Sequence, residues 1–183
     1  MSDLNKAARS RIRRILYEEA DDLIVDLQVR SFAQDAVATG QTVRSLAPSV
    51  RVFSDGGISL DITGGEGWKF LEQGRGVTRN EGDGELLPKI KRWMIARGIK
   101  PTIKSKSKRV KGGRRNAEKK AFDSLAFAIT RTIHKEGTLL HRQGKRRDIY
   151  SSVVTDRRIN QIINKIASTS EAEILSDIID TFK

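Results

Sequence analysis

Residues 49–63, "SVRVFSDGGISLDIT", decide the fold class. Val50 and Val52 alternate with Arg51 and Phe53. Beyond Asp55-Gly56-Gly57, Ile58, Leu60 and Ile62 alternate with Ser59, Asp61 and Thr63. Period-two patterning on both sides of an Asp-Gly turn is the strongest short-range signature of a β-hairpin. It predicts that Ile58, Leu60 and Ile62 share one buried face. A lone hairpin is marginal in water. Its apolar face therefore needs a covering helix, and its edges need further strands from residues 66–73, from residues 138–154 or from a neighbouring subunit.

The covering helix precedes it. Across residues 3–32, Leu4, Ala8, Ile12, Ile15, Leu16, Leu23, Ile24 and Leu27 recur at three- and four-residue steps, which sets them on one helical face, with Asp3 as N-cap. The charges on this helix oppose its dipole. Arg9, Arg11, Arg13 and Arg14 stand near the positive end and Glu18, Glu19, Asp21, Asp22 and Asp26 beyond them. A solvated face tolerates that arrangement; a sharper reading turns the arginines toward an acidic partner. Gly40 then breaks the pattern before the hairpin.

Downstream, "GGEGWKFLEQGRGVTRNEGDGE" gives a short structured piece around Trp68–Leu71 and a glycine-rich loop. "LLPKIKRWMIARGIK" gives a short helix with Pro88 in its first turn and Gly98 closing it. A helix follows over residues 116–136, with Ala117, Ala121, Leu125, Ala128, Ile129 and Ile133 on one face and Gly137 at its end. A C-terminal helix begins with Asp156 as N-cap and carries Ile159, Ile162, Ile163, Ile166, Ile174, Ile178 and Phe182, with a bend expected at residues 168–171. Residues 100–115 and 138–150 read as mobile basic loops. The expected fold is α+β: a long N-terminal helix packed on a small antiparallel sheet, the central β-hairpin, with further helices and a C-terminal helix. Residues 1–183 read as a single domain, long enough to bury a core without staples.

Composition narrows the function. The chain has no cysteine, so neither disulfides nor thiolate metal sites are available. Its N-terminal residues lack the apolar run of a signal peptide, and no stretch reaches transmembrane length. The net charge of +12 is concentrated: residues 100–147 hold 16 Lys and Arg against Glu118, Asp123 and Glu136. The remainder is nearly neutral, so that span advertises an anionic partner.

Catalytic signatures are sparse. His134 and His141 have no acidic or cysteine neighbours at metal-ligand spacing and read as surface residues. The glycine-rich stretches lack the Gly-Lys-Ser/Thr of a P-loop, and turn chemistry accounts for them. Asp61, Glu66 and Lys69 only loosely imitate a nuclease carboxylate–lysine site. Within residues 100–147 the aromatics are Phe122 and Phe127, both inside the helix pattern, so the basic loops carry no base-stacking residues. Non-specific phosphate contact and an acidic protein surface both fit the charge. We expect no catalytic, cofactor-binding or metal residues, and hence no cofactor and no enzyme.

One resemblance joins these pieces. "ATGQTVRSL", the hairpin, "FLEQGRG", "LPKIKRWMIARGIK", "AFAITRTIHKEGT", "RDIYSSVV" and an Ile-rich C-terminal helix occur in an order that resembles the neck or tail-completion proteins of tailed bacteriophages, also described as head–tail joining or minor tail proteins. The likeness runs from about residue 38 to the end. Its most specific parts are Glu72-Gln73-Gly74-Arg75, Ile90 through Trp93 to Gly98-Ile99, and Ala126-Phe127-Ala128-Ile129 with Gly137-Thr138. The resemblance implies a non-enzymatic virion protein, a six- or twelve-fold ring subunit that completes or joins the tail and forms part of the DNA conduit. It also implies portal or adaptor and tail proteins as partners, no membrane, a place in the virion neck, and host cytoplasm during assembly. The basic insertion between Ile99 and Arg115 departs from the simpler members.

The candidate partner-binding residues are Arg75 in the glycine-rich loop, then Lys104, Lys106, Lys108, Arg109, Lys111, Arg114 and Arg115 in the first basic stretch. Arg142, Lys145, Arg146 and Arg147 belong to the second. We expect them to grip an acidic protein surface, mobile in the free subunit and ordered in the particle. The alternative is a non-specific nucleic-acid-binding or packaging accessory protein, or a nuclease.

Overall fold

β1 (Ala47–Val52) and β2 (Ile58–Thr63) pair antiparallel, with Ala47 opposite Thr63, Val50 opposite Leu60 and Val52 opposite Ile58. The structure is a computed structural model that describes residues 6–53, 57–78, 84–102 and 113–181. The turn residues Ser54, Asp55 and Gly56 lie outside these. Gly57 closes the ladder by accepting from the Phe53 amide at 2.7 Å. Val50 and Leu60 point to the same face, as opposed residues must. On the other face Arg51 forks onto one oxygen of Asp61 at 2.6 and 2.8 Å.

The fold is the mixed helix-and-sheet class expected: a long N-terminal helix, a two-stranded antiparallel sheet, further helices and a C-terminal helix. The added strands do not appear among the described residues. Trp68–Leu71 is a helical turn, α3, and residues 138–154 form a helical turn and bends. Within the span read as one domain, packing resolves two compact units.

The first unit holds residues 1–36, 41–68 and 148–183. Its spine is α1 (Lys6–Ala33), whose buried stripe is Ala8, Ile12, Ile15, Leu16, Ala20, Leu23, Ile24 and Leu27. Those are the residues that the periodicity selects, with Ala20 added; Asp3 and Leu4 lie outside the described residues. Ser31 extends the stripe because its hydroxyl satisfies itself on the Leu27 carbonyl at 2.7 Å. Ile12, Leu16 and Val50 form a core cluster, against which Ile58 and Leu60 of the hairpin and Ile162 and Ile166 of α7 (Asp156–Thr181) pack. Two helices thus stand in for the missing strands as the hairpin's support. α2 (Gln41–Arg44) inserts Val43 as a buried plug, and Trp68 donates its indole N–H to the Thr42 carbonyl at 2.7 Å.

Three details of α7 differ from expectation. Its N-cap is Thr155, whose hydroxyl accepts from the Arg158 amide at 3.2 Å, while Asp156 is the first helical residue and favours the positive end of the dipole. Ile159 and Ile163 are exposed, because the buried line runs through Ile162 and Ile166. Helix is continuous through residues 168–171, where Ser168 and Thr169 bond back to the Lys165 carbonyl.

The second unit holds residues 37–40 and 69–147. α4 (Leu86–Ala96) packs on α5 (Gly113–Glu136), with Leu86, Met94 and Ala126 buried and a Lys91–Asp123 ion pair at 2.7 Å spanning the two helices. α4 closes as expected at Gly98. The Gly98 amide returns to Ile95 and the Ile99 amide to Met94, the paired bonds of a Schellman ending. α5 begins three residues before the expected start, so Arg114 and Arg115 belong to its first turn and not to a loop. Its buried centre is Ala126 and Thr130, with Leu125, Ile129 and Ile133 half-buried and Ala128 exposed. Thr130 is tolerated inside because its hydroxyl bonds the Ala126 carbonyl at 2.8 Å.

Candidate interaction surface

Two segments of the second unit, 63 residues apart in sequence, are clamped together. The Arg75 amide donates to Thr138 Oγ1 at 3.0 Å, and the Thr138 amide donates to the Arg75 carbonyl at 2.8 Å. A Thr78 amide bond to the His134 carbonyl at 3.0 Å extends the clamp by one rung. Two glycines permit this approach. Gly137 ends α5 at φ 81°, and a β-carbon there would meet the Arg75 carbonyl oxygen at 2.8 Å. Gly74 has φ 77°, and its β-carbon would collide with Thr138 and the His141 amide. Both positions require the left-handed region and an empty Cβ position.

The clamp fixes a charged rim. Glu72 is buried and takes Arg146 on one carboxylate oxygen at 3.0 Å, while its carbonyl accepts the Arg147 amide at 3.0 Å. Arg142 pairs with Glu136 at 2.8 Å. Arg75 keeps its guanidinium within the unit, 5.7 Å over the Phe70 ring and 3.4 Å from the Thr78 hydroxyl. Lys69 lies 5.1 Å from the same ring. Phe70 thus carries two cations, a cation–π arrangement that holds Arg75 without a carboxylate.

Of the candidate residues, the structure brings Arg75, Arg142, Arg146 and Arg147 to this one region by direct bonds, with Lys145 between them and exposed. Residues 138–150 are accordingly not a plain loop. Leu139–Arg142 is a helical turn, α6, and the backbone on either side of it is bonded to Arg75 and Glu72. Lys104, Lys106, Lys108, Arg109 and Lys111 lie outside the described residues; Arg114 and Arg115 are placed by backbone alone.

Sequence reasoning missed four cations. Lys119, Lys120, Arg131 and Lys135 are exposed along α5. Helical periodicity could have found them, because Lys120 and Arg131 fall opposite the Leu125–Ile129 line and Lys119 and Lys135 flank them. It also missed His134, which is half-buried and carries a buried Nδ1 with no hydrogen-bond partner among the described residues. His141 is exposed as expected, its ring against Gly76 and Gly137.

Among the described residues no group of three His, Asp or Glu side chains could hold a metal ion, and Asp61 is occupied by Arg51. No helix among the described residues is long and apolar enough to cross a membrane. Comparison of the chain with family models, with curated proteins and with solved structures finds no match.

Proposed function

We propose that this protein is a structural virion subunit of a tailed phage, a six- or twelve-fold ring at the head–tail interface that completes or joins the tail around the DNA conduit. One observation carries the reading. The Glu72-Gln73-Gly74-Arg75 turn and the Gly137-Thr138 pair, two of the most specific parts of the resemblance, are bonded to each other through Arg75 and Thr138. Elements separated by 63 residues that depend on one another in space support treating the motif order as one unit. A hairpin of two strands, open at both edges among the described residues, also suits a subunit that a neighbour completes.

The basic span fits an acidic protein surface at that junction better than the DNA itself. A conduit that passes DNA quickly is poorly served by many tight phosphate contacts. Disrupting the gene tests the proposal. Filled heads and separate tails should accumulate in electron micrographs of the lysate, and complete particles would overturn it. The excess of 16 Lys and Arg over three acids in residues 100–147 also favours a second reading, a nucleic-acid-binding or packaging accessory protein. Under that reading heads would be empty of DNA instead of unjoined.

A further inference from the structure

We infer that copies of this chain join head to tail, the outer face of α1 on one copy receiving the outer face of α5 on the next. The inference rests on the ring reading above and names the contact that builds the ring.

The first half of the contact is the side of α1 opposite its buried stripe. Val25, Val29 and Phe32 follow at four- and three-residue steps and are 54%, 62% and 58% exposed. The outer face of a helix on a soluble domain is normally polar; this one is an apolar ridge. Asp21 and Asp26 stand on either side of it, and neither is paired with a cation among the described residues. Asp22 is also exposed and reaches Arg158 only at 3.9 Å.

The second half is the outer face of α5. Phe127 is 60% exposed, with Lys120 seven residues before it and Arg131 four residues after it on the same line; the acid on that line, Asp123, is already neutralised by Lys91 at 2.7 Å. Lys119 and Lys135 border that line, and none of the four cations is paired with an acid among the described residues. One face is thus an apolar ridge edged by carboxylates, and the other an apolar knob edged by cations.

Charge decides which occupant fits. Packing α1 on a second α1 would oppose carboxylates, and packing α5 on a second α5 would oppose cations; both are repulsive. The complement of each face is present on every copy of the chain, so a second copy supplies it without another protein. Such a contact uses different patches on its two sides, and contacts of that kind close into rings when the rotation allows. The apolar centre supplies the affinity while the charged edges set the register.

The test uses the full chain and two single variants, Val29→Lys and Phe127→Glu, each placing a like charge against the opposing face. Both positions are exposed, so circular dichroism should match that of the wild type, as should the melting temperature at dilutions where the wild type is dissociated. In sedimentation, the wild type should assemble, and each variant alone should lose self-association by at least tenfold. An equimolar mixture should then form a one-to-one complex, because each variant keeps one intact face. Assembly of either variant as in the wild type, or a mixture that stays monomeric, would overturn this contact while leaving the ring reading standing. A wild type that is monomeric at every concentration would overturn both.

Discussion

The Lys165 ammonium lies 2.7 Å from a carboxylate oxygen of Glu19, joining the C-terminal helix to the first helix across 146 residues of sequence. Arg158 reaches the other oxygen at 3.2 Å, so one carboxylate, only 12% exposed, serves two cations from one face of α7. Glu19, one of the acids that run against the dipole of α1, thus has its partners within the fold, which no local pattern announces.

Glu19→Ala should therefore cost about 1–3 kcal/mol, since it strands Arg158 at a partly buried site. Urea denaturation measures it, and a cycle with Lys165→Met separates that pair from the rest. A cost below about 0.5 kcal/mol, as for an exposed pair, would contradict the role given to Glu19.

The same pair predicts a pH dependence. The hydrogen bond to Glu19, ahead of all other influences, raises the Lys165 pKa above its ordinary 10.5. A folded-state pKa above the unfolded one gives stability that is complete below pH 10.5 and lost as the pH climbs through the folded value. Melting temperature should fall on that alkaline side more steeply in the wild type than in Lys165→Met. The two curves running parallel would contradict the shift.

Leu60 tests the hairpin. It faces Val50 and packs on the Ile12–Leu16 cluster. Leu60→Asp should abolish soluble expression, because a carboxylate without a partner would enter that layer at a cost of about 3 kcal/mol or more. Thr63→Asp, at the exposed end of the same strand, should be tolerated. A folded Leu60→Asp protein would mean that the register is wrong.

The Arg75–Thr138 clamp gives a graded series. Thr138→Ser keeps the oxygen that receives the Arg75 amide and should change stability little. Thr138→Val removes it and should cost about 1–3 kcal/mol. Gly137→Ala should cost at least as much, because φ 81° disfavours alanine and its β-carbon meets the Arg75 carbonyl. Hydrogen exchange at the Arg75 amide reads the clamp directly and should speed up in Thr138→Val and Gly137→Ala.

How much of this the chain declares in advance varies with the kind of signal. Where one periodicity dominates, as in Ile12, Leu16 and Leu23 of α1, residue pattern and burial coincide; in β2 residues 58–62 are all half-buried, and Leu60 is distinguished by its packing on the Ile12–Leu16 cluster. α5 is less legible: Ala121, Ala126 and Ala128 are alike in hydropathy, and burial in the fold, not residue type, singles out Ala126 as the centre. Residue type alone favours Asp156 over Thr155 as the cap, since Asp caps at least as well as Thr, and only the Arg158 amide bond assigns the role to Thr155. The bonds of Glu19 with Lys165, and of Glu72 with Arg146, join residues far apart in sequence and leave no local trace. For that reason the basic residues of 142–147 read as a free loop, although Arg142 and Arg146 are each engaged by an acid of their own unit.

The first basic stretch is tested by neutralisation. Replacing Lys104, Lys106, Lys108, Arg109 and Lys111 together by glutamine should block the joining of heads to tails while leaving the melting temperature unchanged. Normal joining by that variant would remove the stretch from the partner surface.

The central claim is that the chain is a ring subunit of the head–tail junction, and class averages of the purified protein in negative stain test it most directly. The account predicts closed rings of six or twelve copies. Single subunits at every concentration, binding short duplex DNA with an affinity that falls steeply with salt, would contradict it and establish the nucleic-acid reading instead.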